Sequence, residues 1–382
     1  MKKYLYIGLF SLFCITSLTG QGKIKTEFDG QVITWTNFNF SDGFGNQTGG
    51  RYIPELSLLY LAEKEWKLDG EFSLNTYAAS TYMDRNWDHA ADLKPYRFWL
   101  RFSNNQFELR AGLQKINFGS ASMLRPLMWF DRMDPRDPLQ LTDGVYGLLC
   151  RYYFLNNANI WLWTLYGNED PRGWDLFPGN KKIPEFGGRI QLPAGPGELA
   201  FTYHHRNLDP DTLLNLPDNL YRHDYAQDKI AVDGKWDIGP GIWLESVFKH
   251  NSLYPYTDKW ILQSTLGMDY TFGIGNGLTA GLEHLVYRVF EERLFESGEG
   301  IQLTAVNVLY PVSLTDNLSL IIFYSWKDES LYRFINWGRQ YDRISLYLMA
   351  YWNPEGFDIY PNMEHTNLFS GKGFQLMFTF NH

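Results

Sequence analysis

Residues 96–114 read YRFWLRFSNNQFELRAGLQ. Tyr96, Phe98, Leu100 and Phe102 fall on one face of an extended chain, and Arg97, Trp99 and Arg101 on the other. Past Asn104 and Asn105, the series Phe107, Leu109, Ala111, Leu113 alternates with Glu108, Arg110, Gly112, Gln114. Period-two patterning on both sides of a two-residue turn predicts a β-hairpin.

The same texture recurs in NLSLIIFYSW (317–326), RISLYLMAYW (343–352) and GFQLMFTF (373–380). Connection lengths alternate as well. Short turns are predicted at 63–67, 104–105, 156–158, 193–197, 237–241, 273–277, 313–317 and 353–356. Longer polar loops are predicted near 41–50, 82–93, 119–142, 168–184, 207–222, 251–258, 291–299, 327–340 and 363–371. That interleaving gives about eighteen strands, or sixteen if the weak segment 355–366 is not one. Short turns on one rim and long loops on the other are the pattern of a transmembrane antiparallel β-barrel, with turns in the periplasm and loops outside. The fold class expected is all-β.

Composition agrees. Aromatic residues make up 17% of the 382, yet no apolar run after the first twenty residues approaches the ~18 that a membrane helix needs. The opening MKKYLYIGLFSLFCITSLTG is read as a cleavable signal peptide (1–20), which leaves a barrel domain over 21–382. Cys14 follows Phe13, which argues against lipidation, and Cys150 alone remains, so no disulfide is expected. A net charge of −9, more negative once Lys2 and Lys3 leave, excludes a nucleic-acid binder. Tyr and Trp near strand ends (Trp99, Tyr152, Trp161, Trp163, Trp243, Trp260, Tyr270, Tyr324, Trp326, Tyr351, Trp352) are read as interfacial girdles, against the plainer reading of core aromatics. Phe374, Leu376, Phe378 and Phe380 resemble the C-terminal strand by which the barrel-assembly machinery recognises its clients, although Asn381 and His382 follow the last aromatic.

The hairpin runs into a long connection, INFGSASMLRPLMWFDRMDPRDPLQLTDGVYG (116–147), which abandons the alternation. Loops of that length usually carry function. SASMLRPLMWF could form a helical turn opened by Ser120 or Ser122. Its large apolar side chains gain ~1.5–3 kcal/mol each if buried. The loop 119–142 is therefore expected to fold into the lumen as a constriction. Arg97, Arg101, Arg110 and Arg151, with Glu108 beside them, are expected to face the lumen, and the loop adds Arg125, Asp131, Arg132, Asp134, Arg136 and Asp137. These charges either staple the loop to the wall as Arg–Asp pairs or bias an aqueous path by charge.

The runs LRAGLQKINFG, LRPL and DRMDPRDPLQL resemble a pattern in porin-like outer-membrane proteins of the alginate-export-like superfamily, over about thirty residues. The resemblance implies signature positions at Arg110, Gly112, Gln114, Gly119, Asp134, Pro135, Arg136 and Asp137, and an eighteen-strand barrel with a basic lumen passing an anionic polysaccharide. Here Glu245, Asp269 and Glu283 are also expected to face inward, so the lumen is mixed in charge.

No catalytic constellation is expected. His204, His205, His223 and Asp224 are the only candidates for a rim-located hydrolase, and adjacent strand residues point to opposite faces. No metal or cofactor is expected, since the histidines show no ligand spacing. The leading expectation is a passive, weakly charge-selective channel for small solutes or oligosaccharides, in contact with outer-membrane lipid. The alternative is a plugged accessory barrel that docks a partner, for which 168–184 offers an apolar and basic surface.

Overall fold

A computed structural model describes residues 23–41, 43–62, 65–83, 85–209, 225–252, 258–290, 299–355 and 369–382. The leader, His223 and Asp224 lie outside them. The first six strands are β1 (Lys23–Asn39), β2 (Gly45–Leu61), β3 (Lys67–Met83), β4 (Asn86–Ser103), β5 (Phe107–Gln114) and β6 (Val145–Tyr153). Then come β7 (Asn159–Leu165), β8 (Glu185–Ala194), β9 (Gly197–Leu208), β10 (Tyr225–Asp237), β11 (Gly241–Asn251) and β12 (Trp260–Phe272). The last are β13 (Leu278–Phe290), β14 (Gly300–Pro311), β15 (Asp316–Ser325), β16 (Ser330–Gln340), β17 (Ile344–Trp352) and β18 (Lys372–Asn381). Sequence neighbours pair antiparallel throughout, and β1 pairs with both β2 and β18, closing one 18-stranded sheet. Closure leaves no strand at a free edge of the sheet, as a lipid environment demands, although 86–95 of β4 pair with β3 alone.

Side chains sort by parity. On β4, Phe98 points outward at 54% exposure, while Arg97 is buried inside. On β11, Trp243, Glu245, Val247, Lys249 and Asn251 are buried inward, whereas Leu244 faces out. The outer face carries Leu148, Leu162, Ile190, Phe201, Ile230, Leu266, Met268, Leu282 and Leu376, all exposed. A contiguous apolar belt of this kind marks a surface that meets lipid.

The expected alternation of rims holds, with exchanges. Residues 327–340, expected as a loop, are largely β16, and 341–343 form a short turn instead of 353–356. The weak strand at 355–366 is not seen at its described residue, and 356–368 lie outside the description. The loops expected near 41–50 and 82–93 are mostly wall, since β2, β3 and β4 run 17, 17 and 18 residues. The girdle reading holds for Tyr152, Tyr270 and Trp326, which are exposed. It fails for Trp163, Trp243 and Tyr351, which are buried in the interior because their parity is inward. Trp99 and Trp161 lie against lumen arginines.

Candidate functional site

The connection 115–144 folds across the barrel interior. Met123, Leu124, Leu127, Met128, Trp129 and Phe130 are each at most 3% exposed. They reach separate parts of the wall. Met123, Leu124 and Met128 pack with Leu285, Leu303, Phe323 and Phe334 of β13–β16. Leu127, Trp129 and Phe130 join Val145, Leu149, Trp163, Ala231 and Val247 of β6, β7, β10 and β11. Leu139 and Leu141 sit against Ile33, Trp35, Ile53 and Ala79 of β1–β3.

Two wall carboxylates hold its backbone. Glu283 on β13 accepts from the N–H groups of Ser122 (2.7 Å), Met123 (3.0 Å) and Leu124 (2.5 Å), and from the Ser122 hydroxyl (3.2 Å). Glu245 on β11 accepts from the N–H of Ala121 (2.7 Å) and Leu127 (3.3 Å). Thr265 Oγ1 on β12 donates to the Leu124 carbonyl at 2.7 Å. The helical turn expected from Ser120 or Ser122 is absent, and 120–130 carry only bends and a tight turn. Gly119, at φ +93°, brings the chain flat against Glu245, where a Cβ would overlap the carboxylate.

The loop's own charges pair mainly inside it. Arg125 binds Asp131 at 3.1 Å, with both side chains buried. Arg136 binds Asp134 through two nitrogens at 2.8–3.0 Å, and its guanidinium lies over Phe334 and Phe369. Asp137 accepts from the N–H groups of Leu139 and Leu141, and burial pushes its carboxyl up to about 6. Arg132 reaches Asp170 of the next connection at 3.5 Å. The Arg–Asp pairs thus shape the loop, and Glu245 and Glu283 fasten it.

The basic residues of the wall divide into two places. Arg101, Arg110 and Arg151 converge on Glu108 at 3.7, 2.9 and 3.5 Å, and Arg101 also binds Asp69. Arg110 and Arg151 stack on Trp99 and Trp161 at 4.7 and 3.7 Å. This cluster sits next to the short 104–106 turn. Arg97 stands apart, donating to the Thr142 carbonyl at 2.9 Å and to that of Tyr96 at 2.6 Å, and so holds the far end of the loop. Phe374, Leu376, Phe378 and Phe380 share the outer face of β18, opposite the buried Gln375 and Thr379.

A second connection, 166–184, folds onto the first. Trp174 is buried and donates to the Arg125 carbonyl at 2.9 Å. Asp175 enters a buried cluster of Arg206 (3.2 Å), Lys229 (2.8 Å) and Lys249 (3.5 Å). Burial pushes its carboxyl up, but the three cations outweigh that and hold it well below the ordinary carboxylate range. Arg172 pairs with Glu185 at 2.7 Å. Arg172, Trp174 and Asp175 therefore face inward and are no docking surface, while Leu176 stays exposed. The Asp175 cluster had no sequence signature, since its cations lie 31, 54 and 74 residues beyond Asp175.

His204 and His205 do point to opposite faces. His204 is buried between Trp163 Nε1 and Glu185, and His205 contacts Asp228 at 2.8 Å on the outer side. No group of three metal-ligating side chains occurs among the described residues.

No family model and no curated protein matches the chain. Solved structures do match in fold. OccK5 (OpdH) of Pseudomonas aeruginosa superposes with a TM-score of 0.54 at 10% identity, over 94% of this chain and 98% of that one. OmpF of Salmonella typhi, solved with daunomycin, gives 0.51 at 9%, over 94% and 97%. Wzi of Escherichia coli, an outer-membrane protein involved in group 1 capsule assembly and described as a carbohydrate-binding β-barrel, gives 0.51 at 11%, over 93% and 84%. The fold is that of outer-membrane porin-like β-barrels.

Proposed function

We propose that this barrel is an outer-membrane channel of a Gram-negative-type cell, passing small solutes by diffusion through a lumen narrowed by residues 115–144. One observation carries the reading. A gap of about 340 Å³ remains between loop residues 135–140 and the wall, bounded by Asn307, Asn317, Ser319, Asn336 and Gln340. Its lining also holds Arg136, Asp137 and Arg339 and apolar side chains such as Leu309 and Phe334. Polar groups on both sides of a gap suit a hydrated path better than a sealed core. The three arginines around Glu108 and Asp69, beside the short 104–106 turn on the opposite wall, bias the inner mouth weakly toward anions. The apolar belt faces lipid, and the outward ladder of β18 serves recognition by the assembly machinery. The motif that resembles the alginate-export-like superfamily supports kinship. Glu245 and Glu283, expected to make the lumen mixed in charge, are buried under the loop and leave the solute's charge open.

A second reading, a plugged accessory barrel, draws on the packing of the loop against three parts of the wall. Planar-bilayer recording separates the two. A channel gives stepwise current that rises several-fold when residues 122–140 are replaced by a short linker. Absence of current from both proteins would refute the channel.

A further inference from the structure

The geometry points to a solute-binding site between the constriction loop and the wall of β1–β4, β17 and β18, for an uncharged, hydroxyl-rich molecule the size of a monosaccharide. The site is a cavity of about 120 Å³, with Trp35, Asn75, Tyr96, Leu139, Gln375 and Met377 among its lining. That is roughly ten times the ~10–15 Å³ that holds one water. It has room for one sugar ring.

The charged groups around the cavity already have partners. Arg132 is paired with Asp170, Asp134 with Arg136, and Asp143 with Lys94 at 2.9 Å. The Asp137 carboxylate is taken by two backbone N–H groups, and Arg51 lies 5.4 Å from the Tyr77 ring centre. Two neutral side chains lack one. Asn75 Oδ1 and Gln375 Oε1 are buried acceptors with no donor, in residues 2% and 4% exposed. Leaving such a group unmet costs about 1–3 kcal/mol. Each belongs to an amide that offers a donor and an acceptor at one end, whichever way the head is turned. A hydroxyl answers both, whereas a carboxylate answers only the donor and an ammonium only the acceptor.

The rest of the lining fits the other face of a sugar. Trp35 lies over Gly49, where a Cβ would overlap its ring, and stacks on Tyr77 with centroids 5.5 Å apart. That provides a flat apolar floor for ring C–H groups, with hydroxyls directed to the amides. The amides come from opposite sides of Trp35, Gln375 on β18 and Asn75 on β3. On its β2 side Asn75 has no ladder partner, because the β2–β3 ladder lapses between the Tyr52–Thr76 and Glu55–Ser73 pairs, while on its β4 side it stays paired with Lys94. Pro54 and Pro95 lie at that lapse and supply no N–H.

Saturation-transfer NMR on the detergent-purified full chain tests this without requiring that the barrel conduct, so it stands or falls separately from the channel. Glucose, galactose and glucuronate are the probes. The expected result is saturation of the ring protons of a neutral hexose, with glucuronate at least several-fold weaker. Gln375→Leu and Asn75→Leu should each abolish the signal while the barrel keeps its heat-resistant migration on gels. No transfer to either neutral hexose, equal or stronger transfer to glucuronate, or an unchanged signal in a folded Gln375→Leu barrel would each overturn the assignment.

Discussion

Two adjacent stretches of the same wall differ in how they use chain. β1–β4 run 17 or 18 residues each, joined at the outer rim by the short connections 40–44 and 84–85. β5–β8 run only 7 to 10, and their outer connections are 115–144 and 166–184. A tilted strand crosses a bilayer in roughly 9–11 residues. The surplus of β3 and β4 projects past the outer end of β5, which pairs only with 98–103, and residues 86–93 of β4 are exposed on both faces. The surplus of β1 (23–30) instead runs past β18 at the inner rim. The second barely spans, and its surplus chain turns inward. Height and constriction are alternative uses of the same length, and this barrel places them side by side.

The largest test of that contrast removes one use at a time. Replacing 122–140 with a short linker should raise single-channel conductance several-fold, whereas trimming the β3–β4 tip around 84–85 should leave it within about a factor of two. Equal effects would erase the distinction. Next in size is Asp175→Asn, which strips the counter-charge from Arg206, Lys229 and Lys249. Breaking a buried ion cluster this way costs ~3–5 kcal/mol, and the expected result is rapid hydrogen exchange at 172–176 together with noisier current.

Glu283→Gln and Glu245→Gln come after. Glu283 accepts four hydrogen bonds from the loop and Glu245 two. Each orphaned backbone donor costs about 1–3 kcal/mol. Exchange at 122–124 should therefore accelerate more in Glu283→Gln than exchange at 121 and 127 does in Glu245→Gln; the reverse order would sink the latch. The smallest effect is that of pH. Asp137 ionises less readily in the folded loop, with its carboxyl raised from 3.8 to about 6. Its contribution to docking is full below about 3.8 and is lost as pH rises through about 6. Protection at 137–141, corrected for intrinsic rates, should be greater at pH 5 than at pH 7.5, by ~1–3 kcal/mol at most. Asp175 carries the opposite sign. Its stabilisation is present above 3.8 and fails only in stronger acid, so 172–176 should not loosen between pH 7.5 and pH 5.

The β4–β5 hairpin was legible because lipid outside and water inside force a two-residue rhythm on it, broken at Tyr96, which was expected beside Phe98 but turns inward where the β3–β4 register shifts. The constriction loop was legible for the converse reason, since MLRPLMWF has no place in that rhythm yet is too apolar to stay in water. The turn at 84–85 was not. It carries Arg85 at φ 65° without an Asn-Gly or Asp-Gly signature, and above the membrane the outer face no longer has to be apolar. β16 was missed because SLYRFINWGRQ is interrupted by charge and glycine near its ends. Glu245 and Glu283 could be placed in the lumen by parity, but their partners are backbone amides, which leave no mark in a sequence.

The latch also sets an order of events in biogenesis. The amides of 121–124 wait for carboxylates 124 to 161 residues further along the chain. Until β10, β11 and β13 are in the wall, Leu124, Met128, Trp129 and Phe130 have no complete berth and are open to chaperones and to other unfinished chains. A nascent barrel stalled before β13 is thus the form most prone to clump, and its sticky segment is the one that later guards the bore.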